Sequence, residues 1–397
     1  MVDSLDIVAL QEAFSGLYGK SARLFSAPGR VNLIGEHTDY NEGFVLPMAI
    51  DRRTFVAGAA TDDNRVRVRS LDLDEERTFF LDDKKRRDSR SWVDYVEGVC
   101  RVLEESGNAI DGADLAISSE VPIGAGLSSS AALEISAGIA LLSLAGCEVD
   151  LAQLALAGQK AEQVYAGTNC GIMDQLTAAF GQKNHALLID CRSLLIKPIR
   201  LNLPDHAIVV CNTNVKHELA TSAYNDRRLE CERAVALLRE MIPEIRALRD
   251  VTPSDLEQYE DLLPQPILRR CRHVLSENER TLRAAEALSE GNVQRFGGLM
   301  LRSHRSLRDD YQVSCDELDL MVEIAMSHDG VAGARMTGGG FGGCTVNLVR
   351  RDAVQSFSEF VDYSYERKTG ITSTTYMVEA GEGVSEITNV AGSRIER

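Results

Sequence analysis

Between Gly29 and Gly43 the chain reads GRVNLIGEHTDYNEG, where Val31, Leu33 and Ile34 are interleaved with an arginine, carboxylates, a histidine and a tyrosine. Apolar runs flank it, SARLFSAP before and FVLPMAI after. A loop kept only for solubility has no use for aliphatic residues among its charges. The stretch is therefore expected to be partly buried backbone that presents Arg30, Glu36, His37 and Asp39 to something rich in hydroxyls. Gly29, Gly35 and Gly43 permit turns and close approach of main chain to a ligand.

The surrounding pattern is mixed. Helical spacing covers 5–18, and strand-like runs follow at 22–27, 44–49, 54–60 and 65–71. The charged run DDKKRRDSR (82–90) reads as a solvated loop. A helix is predicted over 91–105, a strand over 113–121 and a helix over 130–146 closed by Gly146. Another starts after Asp150, a candidate N-cap with Gln153 three residues on, and runs to Ala166 with Gly167 as its stop. A third spans Ile172 to Gly181. Strands recur at 185–190, 195–201 and 207–211, and residues 226–310 are charge-rich and mostly helical. The last third alternates again: helix 315–327, loop 337–343, strand 344–349, helix 352–366, strand 374–378. The change from strands to long helices near 205 divides the chain into expected units 1–204 and 205–397. A chain of 397 residues is long enough for two or three cores.

Charge narrows the partners. Lys and Arg number 43 against 60 Asp and Glu, a net charge of −17. This argues against nucleic acid or an anionic membrane, which need clustered positive charge. An anionic substrate would have to be held by local donors and a metal. The nine cysteines are scattered, without a CxxC pair, and read as small hydrophobes in a reducing cytosol. The N-terminus lacks a basic segment leading into an apolar core, and the apolar stretch 135–146 is shorter than the roughly 20 residues a bilayer needs. A cytoplasmic protein is expected.

PIGAGLSSSAA (Pro122 to Ala132) lies between a predicted strand and a predicted helix. Free N–H groups at a helix N-terminus cradle phosphate in that geometry. Gly124 and Gly126 let the main chain come close, while Ser128, Ser129 and Ser130 add hydroxyls and a possible metal ligand. A Walker A loop needs a lysine that is missing here, and a dinucleotide fingerprint wants a glycine where Ser129 stands. The plain alternative is a glycine turn with serines capping the helix. Asp174, in CGIMDQ, falls in a first helical turn among Ile172, Met173, Leu176 and Ala178. It reads either as an ordinary first-turn acid or as a partly buried carboxylate needing a partner, for which Arg30 is the candidate. Trp92 and Tyr95 share one helix face and, taken alone, read as core aromatics. The glycine-rich ARMTGGGFGGCTV (334–346) is a tight seam or a functional loop.

The first stretch resembles the signature of the galactokinases, and the second and third loops resemble motifs of the wider superfamily of galacto-, homoserine, mevalonate and phosphomevalonate kinases. The resemblance spans nearly the whole chain, with the three motifs in order. It implies an α+β, two-lobed small-molecule kinase fold, with mixed sheets and helices and the active site between lobes. The implied activity is ATP-dependent phosphorylation of the C1 hydroxyl of D-galactose. Asp174 and Arg30 become the catalytic pair; Glu36, His37, Thr38, Asp39, Gly171 and Tyr224 face the sugar. Gly124, Ala125, Gly126, Leu127 and Ser128 to Ser130 hold the triphosphate, and Trp92, Tyr95 and Ser70 border the rest of the nucleotide. Galactokinases carry a magnesium-binding glutamate twelve residues before the catalytic aspartate, which turns Glu162 from a surface helix residue into a metal ligand beside Ser130. The third loop would pack against the phosphate loop. In one departure, GTNCG (167–171) stands where many galactokinases have Met-Pro before Cys-Gly, which touches sugar discrimination. Kinases for N-acetylgalactosamine or L-arabinose, and a catalytically silent sugar sensor, are the rival implications. A monomer is expected.

Overall fold

A computed structural model describes residues 7–83, 91–216 and 220–388. Most of the 82–90 charged run and the first six residues, on which two of the expectations above fall, lie outside the described residues. In chain order the elements are α1 (Ile7–Tyr18), β1 (Arg23–Asn32), β2 (Phe44–Val45), β3 (Pro47–Ala60), β4 (Arg65–Ser70), β5 (Glu75–Phe80), α2 (Val93–Glu105) and β6 (Ala113–Ser119). Then come α3 (Ser129–Leu144), α4 (Leu151–Ala161), α5 (Met173–Phe180), β7 (His185–Asp190), β8 (Leu195–Arg200) and β9 (His206–Lys216). The remainder is α6 (Ala220–Arg239), α7 (Pro253–Tyr259), α8 (Gln265–Ser289), α9 (Val293–Ser306), α10 (Asp316–Met326), β10 (Val331–Thr337), β11 (Gly342–Arg350), α11 (Val354–Thr369), β12 (Thr374–Val378) and β13 (Ser385–Ile387).

A six-stranded sheet, ordered β13-β1-β3-β6-β4-β5, is antiparallel except where β4 runs parallel to β6. Its strands alternate cleanly, as a two-faced sheet requires. Phe25, Val56, Leu115 and Ile117 point to a core shared with α2 to α5, while Leu24, Phe55, Ala57 and Ala116 meet Leu10 and Phe14 of α1. Helix α3 is apolar all round and accordingly buried. Its Gly138 lets it approach α4: a Cβ there would lie 2.5 Å from Leu154. A second sheet, β10-β11-β9-β12, turns Val209, Cys211 and Val349 toward α10 and α11, and Ile208, Val210 and Leu348 toward α9. β2, β7 and β8 form a third, smaller sheet. The architecture is α+β with mixed helices and sheets.

The chain end crosses between sheets. After β12, Gly381 donates to the Ala49 carbonyl and Gly383 to that of Gly181, and β13 then pairs with β1. All nine cysteines are free and six are buried. No helix among the described residues is long and apolar enough to cross a membrane.

The structure departs from the sequence expectations in a few places. β1 continues through Pro28 and Gly29 to Asn32 by way of a register shift at Pro28/Arg30, where turn-forming residues had suggested a strand end. β5, β10 and β13 were not foreseen, because EERTFF and VAGARMT lack a clean period of two. The helix expected to run to Ala166 changes at Glu162 into a five-residue π turn, ended by Gly167 at φ +80°. Asp150 caps it as expected, accepting from the N–H groups of Ala152 and Gln153.

Candidate active site

Arg30 projects from β1 just past the bulge, and α5 places Asp174 opposite it. The guanidinium donates through Nε to Asp174 Oδ1 at 2.8 Å and through Nη2 to Oδ2 at 2.7 Å, while Nη1 donates to the Gly126 carbonyl at 2.6 Å. Arg30 is buried and Asp174 partly so, which suits a two-point, charge-assisted pair at the cavity wall. Ser128 Oγ donates to the same Asp174 Oδ2 at 2.5 Å. Ser128 stands at the N-cap position of α3 with φ at +58°, a conformation costly for a serine, and its hydroxyl serves Asp174 rather than a helix N–H. Gly29 lets the glycine-serine loop come close to β1: a Cβ there would meet the Leu127 carbonyl at 2.6 Å, and the Arg30 N–H donates to that same oxygen.

Two cavities meet at this pair. The larger, about 400 Å³, has Gly124, Gly126, Ser128, Ser129 and Ser130 on one side and Ser70, Trp92 and Tyr95 on the other. Trp92 is pinned by its indole N–H, which donates to Glu75 at 3.1 Å. Ala125 and Leu127, expected in the same loop, turn their side chains into the core instead. Ile117, Ile123 and Leu133 add an apolar wall that the sequence reading missed. An exposed Ile123 inside a glycine-rich loop was the available signal.

The smaller cavity, about 230 Å³, is lined by Glu36, His37, Asp39, Gly171, Tyr224 and Glu162, and by backbone of the third glycine loop at Gly338 to Gly340. Arg30 and Asp174 border both cavities. Gly171 is required by geometry, since a Cβ there would fall 2.0 Å from the Asp39 carboxylate. Burial, then the nearby Asp174 charge, pushes Asp39 up to about 6. Glu36 accepts from Asn32, from the Gly338 N–H at 2.6 Å and from Thr337, and pairs with the buried Arg335 at 3.2 Å. Burial raises it even so, against the pull of Arg335. His37, at φ +62°, is pushed down to about 3 by burial and is neutral. Thr38 does not line the cavity: its hydroxyl is wholly buried between the carbonyls of Gly35 and Phe44 and braces the turn.

The third loop packs on the glycine-serine loop, with Gly338 so placed that a Cβ would touch the Gly126 carbonyl at 3.2 Å. Behind the pair, Ser130 Oγ donates to Glu162 Oε1 at 3.2 Å, and the Gln175 amide bridges Glu162 at 2.8 Å and Glu134 at 2.9 Å. Burial and then Asp174 push Glu162 up to about 7, and burial with the neighbouring Glu162 raises Glu134 well above the usual carboxylate range. Neither Glu134 nor Gln175 was singled out from sequence. A lone carboxylate in the otherwise apolar α3 was the clue.

Known proteins match along the chain. The galactokinase galactose-binding signature matches residues 12–60, the GHMP kinases N-terminal domain 94–182 and the GHMP kinases C-terminal domain 284–367. The galactokinase of Roseiflexus sp. (strain RS-1) is 48% identical over 384 residues, covering 96% of this chain and 98% of that protein. That of Chloroflexus aggregans (strain MD-66 / DSM 9485) is 49% identical over 381 residues, with coverage of 96% and 97%. The crystal structure of Lactococcus lactis galactokinase complexed with galactose aligns with a TM-score of 0.92 at 38% identity, over 96% of this chain and 100% of that one. Methanococcus jannaschii mevalonate kinase aligns with a TM-score of 0.64 at 19% identity, over 91% and 99%, a likeness of fold alone.

Proposed function

Belonging to the galactokinase family of the GHMP kinases, this chain is an ATP-dependent sugar kinase, and we propose that it phosphorylates the C1 hydroxyl of D-galactose across the Arg30–Asp174 pair. The observation that carries the reading is that, among the described residues, two cavities share only those two. One has a glycine-serine loop at a helix N-terminus and an aromatic wall, which suits a nucleotide. The other is rimmed by carboxylates, an imidazole and a phenol, which suits a polyol. Asp174, fixed by three donors, accepts the proton of the attacking hydroxyl. In a loose phosphoryl-transfer transition state that proton leaves late, so aim matters more than base strength. Arg30 aims the carboxylate through two hydrogen bonds and, through Gly126, keeps it in register with the phosphate loop.

The residues present fit a magnesium ion. Glu162 is a buried carboxylate facing the junction, supported by a hydroxyl and an amide and displaced upward by burial, as expected of an acid whose cationic partner arrives with substrate. Ser130 and Glu162 would hold the ion, a small hard-oxygen set completed by water and phosphate oxygens. When bound it neutralises phosphate charge. The reading includes a division into a sugar- and ATP-binding lobe, residues 1–204, and a C-terminal lobe, 205–397. It also includes a monomeric state and a cytoplasmic location, in keeping with nine free cysteines.

Coupled ADP release with D-galactose, N-acetylgalactosamine, L-arabinose and D-glucose tests the substrate, with galactose expected to give the highest kcat/KM. Preference for another sugar would overturn galactose; binding without turnover would favour the silent sensor. Asp174→Asn is expected to lose about 10²–10⁴-fold in kcat while calorimetry still detects galactose binding. A near-native rate removes Asp174 from the chemistry.

A further inference from the structure

Four groups run in line from the sugar cavity into the helical half of the chain. His37 Nδ1 lies 2.7 Å from the Tyr40 hydroxyl, which lies 2.7 Å from the Tyr311 hydroxyl, itself 3.1 Å from Cys231 Sγ. On the opposite edge of the imidazole, Nε2 is 3.2 Å from the carbonyl of Gly339. The neutral ring carries a single N–H. A carbonyl oxygen only accepts, so that hydrogen belongs on Nε2, and Nδ1 becomes an acceptor. The direction of every other link follows, because each hydroxyl has one hydrogen to give. Tyr40 donates to His37, Tyr311 to Tyr40, and the Cys231 thiol to Tyr311.

Tyr40 does not line the sugar cavity; it packs with Cys231 and Tyr311 in the cluster built around α6 and α8. We propose that Tyr40 is a positioning residue for sugar binding: by donating to His37 Nδ1 it anchors the ring in the pose in which Nε2–H reaches the Gly339 carbonyl, which ties the third glycine loop to the sugar-binding stretch. The proposal rests on the reading of residues 36–39 as that stretch. The opposite tautomer would aim a lone pair at the Gly339 carbonyl and detach it. Glu36 holds the adjacent Gly338 N–H, so the two neighbours clamp one loop, and that loop rests on Gly126 beside Arg30.

Long-range ¹H–¹⁵N correlation spectra of the histidine rings, recorded on the substrate-free protein with His37 assigned by its loss in His37→Gln, test the tautomer directly. The expected wild-type pattern is a protonated Nε2 and a bare Nδ1. Tyr40→Phe leaves Nδ1 without its donor, so the bare-nitrogen resonance should move away from its wild-type position, and the galactose KM should rise roughly 3- to 10-fold, the usual cost of one buried hydrogen bond, with the ATP KM unchanged. Tyr311→Phe should keep the wild-type His37 pattern, because Tyr40 retains its own hydrogen. A wild-type proton on Nδ1 overturns the proposal, as does a Tyr40→Phe protein that keeps either the wild-type spectrum or the wild-type galactose KM. Where Tyr40→Phe does not fold, the wild-type and Tyr311→Phe spectra decide. Since the spectra need no substrate, a failure to phosphorylate galactose would sink the functional reading and leave the tautomer result intact.

Discussion

Asp39 illustrates what burial beside a second carboxylate costs a residue. Burial and the Asp174 charge raise it from an ordinary 3.8 to about 6. A carboxyl raised on folding stabilises the folded chain most where it is protonated in both states, below about pH 4. That contribution disappears as pH rises through 6. Sugar hydroxyls donating to ionised Asp39 reverse the preference, so galactose binding should expel a proton near pH 6. The galactose KM is therefore expected to rise as pH falls from 7 to 5, and Asp39→Asn, though weaker throughout, to lose that dependence. Steady-state kinetics over this range check it; a parallel profile in both proteins would assign the titration elsewhere. Its neighbour Thr38 shows the limit of reading a motif residue by residue. Thr38 sits in the same signature, yet its side chain serves the turn.

At the scale of elements, the π turn after α4 holds Glu162 against Ser130 and Gln175 rather than letting the helix continue. Such turns often mark functional positions. The turn places an acid displaced upward to about 7 where a cation is expected. Glu162→Gln should raise the magnesium concentration for half-maximal rate by about tenfold or more, the loss of one carboxylate from a small ligand set. The galactose KM should change little. The same variant should melt higher than wild type at pH 8 without magnesium, because the stability lost on ionising Glu162 as pH rises through 7 is no longer at risk. A magnesium titration that overlays wild type, with no gain in melting temperature, would take Glu162 out of the site. Much at this scale was legible: the cap at Asp150, the stops at Gly146 and Gly167 and the loop-to-helix step at Ser128–Ser130 all depend on contacts within four residues. β1 was cut short because Pro28 and Gly29 serve a bulge, and a bulge is recognisable only from its partner strand.

For the whole molecule, a net charge of −17 opposes the approach of ATP, and only local donors reverse it. Screening should therefore help. Raising ionic strength from about 10 mM to 150 mM shortens the Debye length from roughly 30 to 8 Å and is expected to lower the ATP KM, with the galactose KM nearly constant. A rising ATP KM over that interval, at saturating free magnesium, would mean that local positive charge governs encounter instead.

The sequence alone determined the residue types of three loops and the order of most elements, and its net charge of −17 argued against partners that need clustered positive charge. These depend on side-chain type and on backbone preferences that operate over a few residues. Only the tertiary structure decided which groups meet: Arg30 with Asp174, 144 positions apart, and Glu36 with the Gly338 N–H, 302 apart. It also decided that Ala125 and Leu127 turn inward and that Gln175 bridges Glu134 to Glu162. Such meetings are set by how α3, α5 and β1 bury their apolar faces together. A polar group's partner then depends on the whole packed arrangement, which local sequence spacing does not encode.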